Sequence, residues 1–474
     1  MASKLRFTDG TTTVTFDGTT DGKIVKYDIL SPQLRTLTVS KITRDGTDMI
    51  AQAYDDVTES IDLYVSGTWS QITTAIRKLN RMWERVRRYQ EAPNESPVYI
   101  EVQPDGDSAY WRSELKSVTT DLEPQALDLY LGQGKVIFNV TIVRAYFWEA
   151  STETELSLYN PGQAKGTGGK QVDNARDSNG GGTDRYNYLD IDNADLTGDL
   201  PSRIRLKMTN TYNNADRINR VYIGMTFKSD VANFTHVIEG ESTTMGTQGP
   251  GSPDYTLYSE GYFRTLSWTG TTEQTLGRWD IPSTTLLAAR SNYFMIYAKV
   301  WNIYTDVYLR PKITAVSGLT TLWSGPQILC PSGYDVVCLG AVQLPPVRMI
   351  GGTPYPEQFD ITVQRAGGTG SMNVDFILFS PMDKWRQLLQ NAYGLGYQAY
   401  LVDDGIGERL YSDGWTTAGN LYNFVGYGPW LEVTPVPEST GVHRIIFFWN
   451  GNTYAVPGRT MTVQAWYRPR RKQI

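Results

Sequence analysis

Most of this 474-residue chain reads as short strands of alternating apolar and polar residues joined by turns, and one long stretch does not. A period of two places successive side chains on opposite faces of a strand, and such a pattern cannot settle as a helix. The exception is "SQITTAIRKLNRMWERVRRYQEAP", residues 70–93. There Ile72, Ile76, Leu79, Trp83, Val86 and Tyr89 recur at three- and four-residue steps, which predicts one amphipathic helix over 70–92. Thr68 and Gln71 have capping-box spacing at its start, and Pro93 stops it. Its other face carries Arg77, Lys78, Arg81, Arg85, Arg87 and Arg88. That face reads as the solvated side of a helix lying on a sheet, or as a basic contact for an acidic neighbouring subunit.

The expected fold is therefore mainly β and multi-domain, built of β-sandwiches with a single helix beside the first. Strands are expected at Leu5–Phe7, Thr12–Phe16, Ile24–Leu30 and Arg35–Ile42, with Asp9-Gly10, Asp17-Gly18 and Asp21-Gly22 supplying turns. After the helix, "GKVIFNVTIVRAYFWE" (134–149) is the strongest strand signal. Val136, Phe138, Val140 and Ile142 share one face of it, and the other face is not fully polar, so the strand should be central or covered by a partner. Residues 160–184 fill with Gly, Asn and Asp and read as a linker or a long mobile loop. These signals divide the chain into 1–150, a linker at 151–185, a jelly-roll-like sandwich at 186–383 and a C-terminal β domain at 384–474.

A net charge of −6 argues against nucleic acid as the main partner. No apolar run reaches membrane-spanning length, and MASKLRFTDG holds no signal core, so synthesis in the cytoplasm without membrane insertion is expected. Cys330 and Cys338 are expected to flank a hairpin turn at Pro331–Tyr334, too far apart to bridge, and to remain free, partly buried thiols. The two histidines, His236 and His443, lack ligand-spaced companions, so no catalytic residue, metal or cofactor is expected. "DIDNADLTGD" (190–199) has acidic residues at two calcium-loop positions but Ala194 at a third, and reads as an ordinary acidic loop. Tyr262, Trp268, Trp279, Trp301, Tyr304 and Trp323 crowd the middle of the chain; they are either packing residues or contacts for glycan or a protein partner.

The run 55–118, a strand, one helix and two strands with "YWRSE" on the second, resembles the N-terminal region of tail proteins of long-tailed bacteriophages, in the distal-tail and tail-tube group. The strand 134–149 closes that unit, and stretches at 188–210, 375–388 and 431–470 resemble accessory sandwiches of such proteins. The resemblance implies a structural, non-enzymatic virion protein made in the host cytoplasm. It would form a ring, of six copies, that continues the tail tube and meets other tail proteins or host surface glycan. It implies that the helix, through Ile72, Ile76, Leu79 and Trp83, covers an open sheet face. The strand carrying Val136, Phe138, Val140 and Ile142 would then present an edge for pairing between copies. The alternative is a virion-borne or secreted β-sandwich protein that binds or degrades glycan.

Overall fold

The computed structural model describes residues 2–40, 47–91, 96–121, 134–160, 163–173, 187–211, 217–228, 237–253, 258, 261–289, 293–301, 307–316, 320–330, 336–364, 368–381, 384–389, 394–413, 424–437, 440–451 and 460–474. The fold is mainly β and multi-domain. The chain forms two compact units. Unit 1 is Met1–Thr154, Thr197–Ser202 and Arg468–Ile474; unit 2 is Glu155–Leu196 and Arg203–Tyr467. These units do not coincide with the four segments read from composition. Turn-rich stretches mark where strands end, whereas membership of a unit depends on pairing between distant strands.

Unit 1 contains β1 (Ala2–Thr8), β2 (Thr13–Phe16), β3 (Gly22–Tyr27), β4 (Leu34–Ser40), β5 (Thr47–Tyr54), β6 (Val57–Ser66), helix α1 (Trp69–Glu91), β7 (Tyr99–Pro104), β8 (Trp111–Thr120), β9 (Lys135–Arg144), β10 (Trp148–Ala150) and, from the far end of the sequence, β11 (Arg470–Arg471). The order β8-β7-β1-β2-β3-β6-β9, with β8 also paired to β9, closes seven strands on themselves. Alternation drives this closure: β9 and β6 each bury every second side chain, and their inward faces fill one core with Leu5, Phe7 and Phe16. Each such side chain contributes about 1.5–3 kcal/mol when taken from water.

Helix α1 turns its stripe into the same core, with Ile72, Leu79 and Met82 fully buried and Trp83 edge-on to Phe138. The capping box forms as expected, with the Thr68 amide donating to Gln71 Oε1 at 2.8 Å and the Gln71 amide reaching back to Thr68 Oγ1 at 3.4 Å. Gly10 and Gly18 hold positive φ in their turns; Gly22 does not. Gly22 is required instead because a Cβ there would lie 2.1 Å from the Tyr64 carbonyl oxygen.

One expectation is corrected here. The strand 134–149 is not an open edge along its length, because β9 pairs fully with β6, from Val57↔Arg144 to Ser66↔Lys135, and over Val140–Arg144 with β8 on its other side. The helix accordingly does not cover a sheet left open for neighbours. Periodicity reveals which face of a strand is buried and says nothing of what lies along its edges.

Among the described residues unit 2 has four larger sheets and a small hairpin, Arg348–Ile350 with Thr353–Tyr355. The first holds Thr460–Tyr467, Ser202–Asn210, Tyr400–Asp404 and Arg409–Asp413; the second holds Tyr188–Asp192, Val442–Gly451, Ile218–Lys228, Trp385–Leu389 and Val425–Tyr427. They enclose one core around Met208, Ile223, Leu401, Phe447 and Val463. The third sheet (Phe263–Trp268, Gly370–Pro381, Tyr293–Trp301, Val336–Gln343) and the fourth (Gln274–Ile281, Glu357–Gln364, Val307–Ala315) enclose another. The outer faces of the second and third sheets meet in an aromatic seam, with Tyr222 and Tyr297 centroids 5.0 Å apart and Phe376 and Phe448 4.9 Å apart. Residues 237–381 are thus inserted between two paired strands of the second sheet, Ile218–Lys228 and Trp385–Leu389. Within the stretch read as a linker, Lys170–Asp173 is a strand paired to Thr460–Val463.

Cys330 and Cys338 are free thiols, the first buried and the second half-buried. Their strands do not form the expected hairpin, since Ile328–Cys330 pairs in the fourth sheet and Val336–Gln343 in the third. The turn 331–335 lies outside the described residues.

Candidate assembly site

Strands β4 and β5 pair with each other, from Leu34↔Tyr54 to Ser40↔Thr47, and with no other described strand. An isolated two-stranded ribbon is marginal in water, so its base must be held. A buried ion network holds one side. Glu59 on β6 accepts from Arg144 of β9, Nε at 3.0 Å and Nη2 at 2.7 Å, and from the Tyr27 hydroxyl at 2.7 Å. The same two side chains grip the approach to β4: the Leu30 amide donates to Glu59 at 2.8 Å and Arg144 donates to the Leu30 carbonyl at 2.9 Å. Burial, reinforced by Glu59, raises the Tyr27 hydroxyl well above its usual range and keeps it a neutral donor. On the other side Tyr54 stacks on Tyr146 with ring centroids 5.7 Å apart.

The outer face of β3, β6 and β9 is mixed, with Asn139 donating to Ser60 and Asp62 across the strands and single aliphatics exposed among the polar residues. Lys23, Tyr64 and Ile137 lie in register across the three strands. Ile137 is 54% exposed, Val25 in the β3 bulge 50%, and Leu30 and Leu34 at the ribbon's root 47% and 49%. A ribbon paired with no other described strand, with exposed Leu30 and Leu34 at its root, is suited to strand pairing with, and burial against, another chain.

The nominated assembly residues fall elsewhere. Ile72, Ile76, Leu79, Val136, Phe138, Val140 and Ile142 are buried in unit 1's own core and Trp83 is half-buried against it, so these side chains do not reach a neighbour. The outward residues of the same strand were missed by one position in parity, although the incompletely polar second face of 134–149 was the signal for them. On the helix, Arg85 pairs with Asp9, and Arg87 and Arg88 share Glu84. Arg77, Lys78 and Arg81 have no ion-pair partner among the described residues.

Of the aromatics, Trp268 and Trp279 are core residues, 4% and 1% exposed, and Trp279 Nε1 donates to the Gly240 carbonyl at 3.1 Å. They have no face to offer a sugar. Trp301 is half-buried and stacks on Tyr258 at 5.4 Å, while Tyr262 and Trp323 are half-buried and Tyr304 lies outside the described residues. In the acidic loop, the Lys165 ammonium sits 2.7 Å from Asp192 and 2.6 Å from Asp195, occupying the place a cation would take. No cluster of metal-ligating side chains occurs among the described residues. His443 is buried, with Nε2 3.0 Å from the Thr434 carbonyl, and His236 lies outside the described residues. No described helix is long and apolar enough to cross a membrane.

No family model matches the chain, and no curated protein matches it. Solved structures with some likeness include the Dit protein of phage SPP1, described as a paradigm of the hub adsorption apparatus in phages infecting Gram-positive hosts. It is 8% identical with a TM-score of 0.30, over 98% of each chain. A chain of the phage P2 baseplate in its activated conformation is 11% identical with a TM-score of 0.28, over 94% of this chain and 98% of that one. An infectious bursal disease virus chain of the Gx strain gives 10% and 0.16, over 68% and 81%. At TM-scores this low none of these likenesses bears on the fold or the role.

Proposed function

We propose that this chain is a structural component of a bacteriophage tail, at the distal tail or baseplate, whose unit 1 joins copies into a ring continuing the tail tube. Unit 2 would carry contacts with other tail proteins or the host surface. The residue pattern at 55–118 and 134–149 suggests the family. The observation that carries the reading is the β4–β5 ribbon, clamped at its base, paired with no other described strand and carrying exposed Leu30 and Leu34 at its root. A ribbon pairing with the same element of the next copy satisfies every edge through one repeated contact, and repetition by rotation closes a ring. Six copies is what the resemblance implies. The test is the native mass and negative-stain image of the full chain. Closed rings support the reading; a monomer at high concentration, also in the presence of the other tail proteins, refutes it.

A further inference from the structure

Residues 468–474 run over unit 1 as an extended basic segment, "RPRRKQI", and are held more like a ligand than like a core strand. On one side β11 pairs with β10, Trp148↔Arg471 and Glu149↔Arg470, and the Ala150 amide donates to the Pro469 carbonyl at 3.0 Å. On the other, the Arg470 carbonyl accepts from the amides of Asp199 at 2.9 Å and Leu200 at 3.2 Å. That second wall comes close only because Gly198, at φ +102°, has no side chain; a Cβ there would stand 2.5 Å from the Arg470 oxygen. The cationic heads lie on aromatic faces: Arg470 on Phe147 at 4.1 Å, Arg471 on Trp111 at 4.2 Å, Lys472 on Tyr54 at 4.7 Å. Main-chain bonds on both edges with cations over rings is how a strand-addition site recognises a peptide. Tyr54 is also the base of the β4–β5 ribbon, so Lys472 rests on the element argued to join copies.

We infer that the groove between β10 and residues 198–200, floored by Tyr54, Trp111 and Phe147, is a binding site for an extended basic peptide. Residues 468–472 fill it in cis, and filling it holds the β4–β5 ribbon in place. The groove stands on its own contacts; the value of a held ribbon for assembly rests on the function proposed above.

The test uses the full chain carrying Arg470→Ala, Arg471→Ala and Lys472→Ala together, and a fluorescein-labelled synthetic peptide, YRPRRKQI. The variant should bind the peptide at least tenfold more tightly than the wild type, whose groove is already filled. Its β4–β5 amides should exchange with solvent at least tenfold faster than in the wild type, and the peptide should restore them. A folded variant that ignores the peptide, that takes a charge-reversed peptide equally well, or that leaves ribbon exchange unchanged overturns the inference. If the triple variant does not fold, Lys472→Ala alone, which keeps the main-chain pairs of β11, should still speed ribbon exchange, and no change overturns it. Rings that form equally well with Lys472→Ala remove the link to assembly. A wild type without rings removes the tail-ring reading and leaves the groove intact.

Discussion

The Glu59 carboxylate is the residue on which unit 1's buried polar network depends, since it accepts from Arg144, Tyr27 and the Leu30 amide in a site closed to solvent. Removing it strands a guanidinium that also lies over the Trp148 ring at 4.3 Å. Glu59→Ala should therefore lower the stability of unit 1 by about 3–5 kcal/mol, whereas the paired change Glu59→Leu with Arg144→Met should cost less than either single change. Denaturant melts of the three variants check this, and a double variant worse than both singles contradicts it. His443 makes a second prediction. Burial, aided by Lys384, lowers its imidazole to about 4, and its Nδ1 finds no partner among the described residues. The folded form thus binds a proton less readily than the unfolded chain, whose histidine titrates near 6.5. The stability this provides is complete above about pH 6.5 and is lost as pH falls toward 4, by about 3 kcal/mol. In His443→Gln that part of the acid sensitivity should vanish, as read from Tm against pH; an unchanged profile assigns it elsewhere. Neither network was readable beforehand, because Glu59 and Arg144 are 85 positions apart and sequence shows charge without showing proximity.

At the scale of elements the sequence was most legible where local physics decides. Helix α1 and its capping box, and the positions of most strands, follow from period and turn chemistry alone. Parity was legible too, but its meaning was not: Val136 and Phe138 were read as available to a partner, and they fill the barrel, because the closure of β8 onto β9 depends on strands far apart in the chain. Neighbouring positions on β9 therefore separate folding from assembly. Val136→Asp should unfold unit 1, since an unpaired carboxylate in the core costs several kcal/mol. Ile137→Asp, on the outer face, should leave the unfolding free energy within about 1 kcal/mol of wild type while abolishing self-association. Circular dichroism melts and native mass of the two variants decide; an Ile137→Asp protein that assembles normally places the contact elsewhere.

For the whole molecule the informative stretches were those without alternation. "RIIFFWN" and "DFILFSP" sit in the second and third sheets, both of whose faces are covered, which is why both parities are apolar. What sequence order concealed is that strands from 188–228 and 385–467 share two sheets, with 237–381 inserted between them. A chain nicked between 174 and 186 should therefore remain one particle in native size-exclusion chromatography and part only in denaturant, since Lys170–Asp173 and β10 stay paired with segments beyond the cut. The contribution of residues 468–474 to unit 1 has a consequence in time. Unit 1 begins to emerge from the ribosome first, yet its groove stays vacant until all of unit 2 has followed, roughly 20–60 s later at about 5–20 residues per second. Nascent chains crowded on one message would thus carry ribbons not yet seated, and ring closure would wait for translation of each chain to pass Lys472.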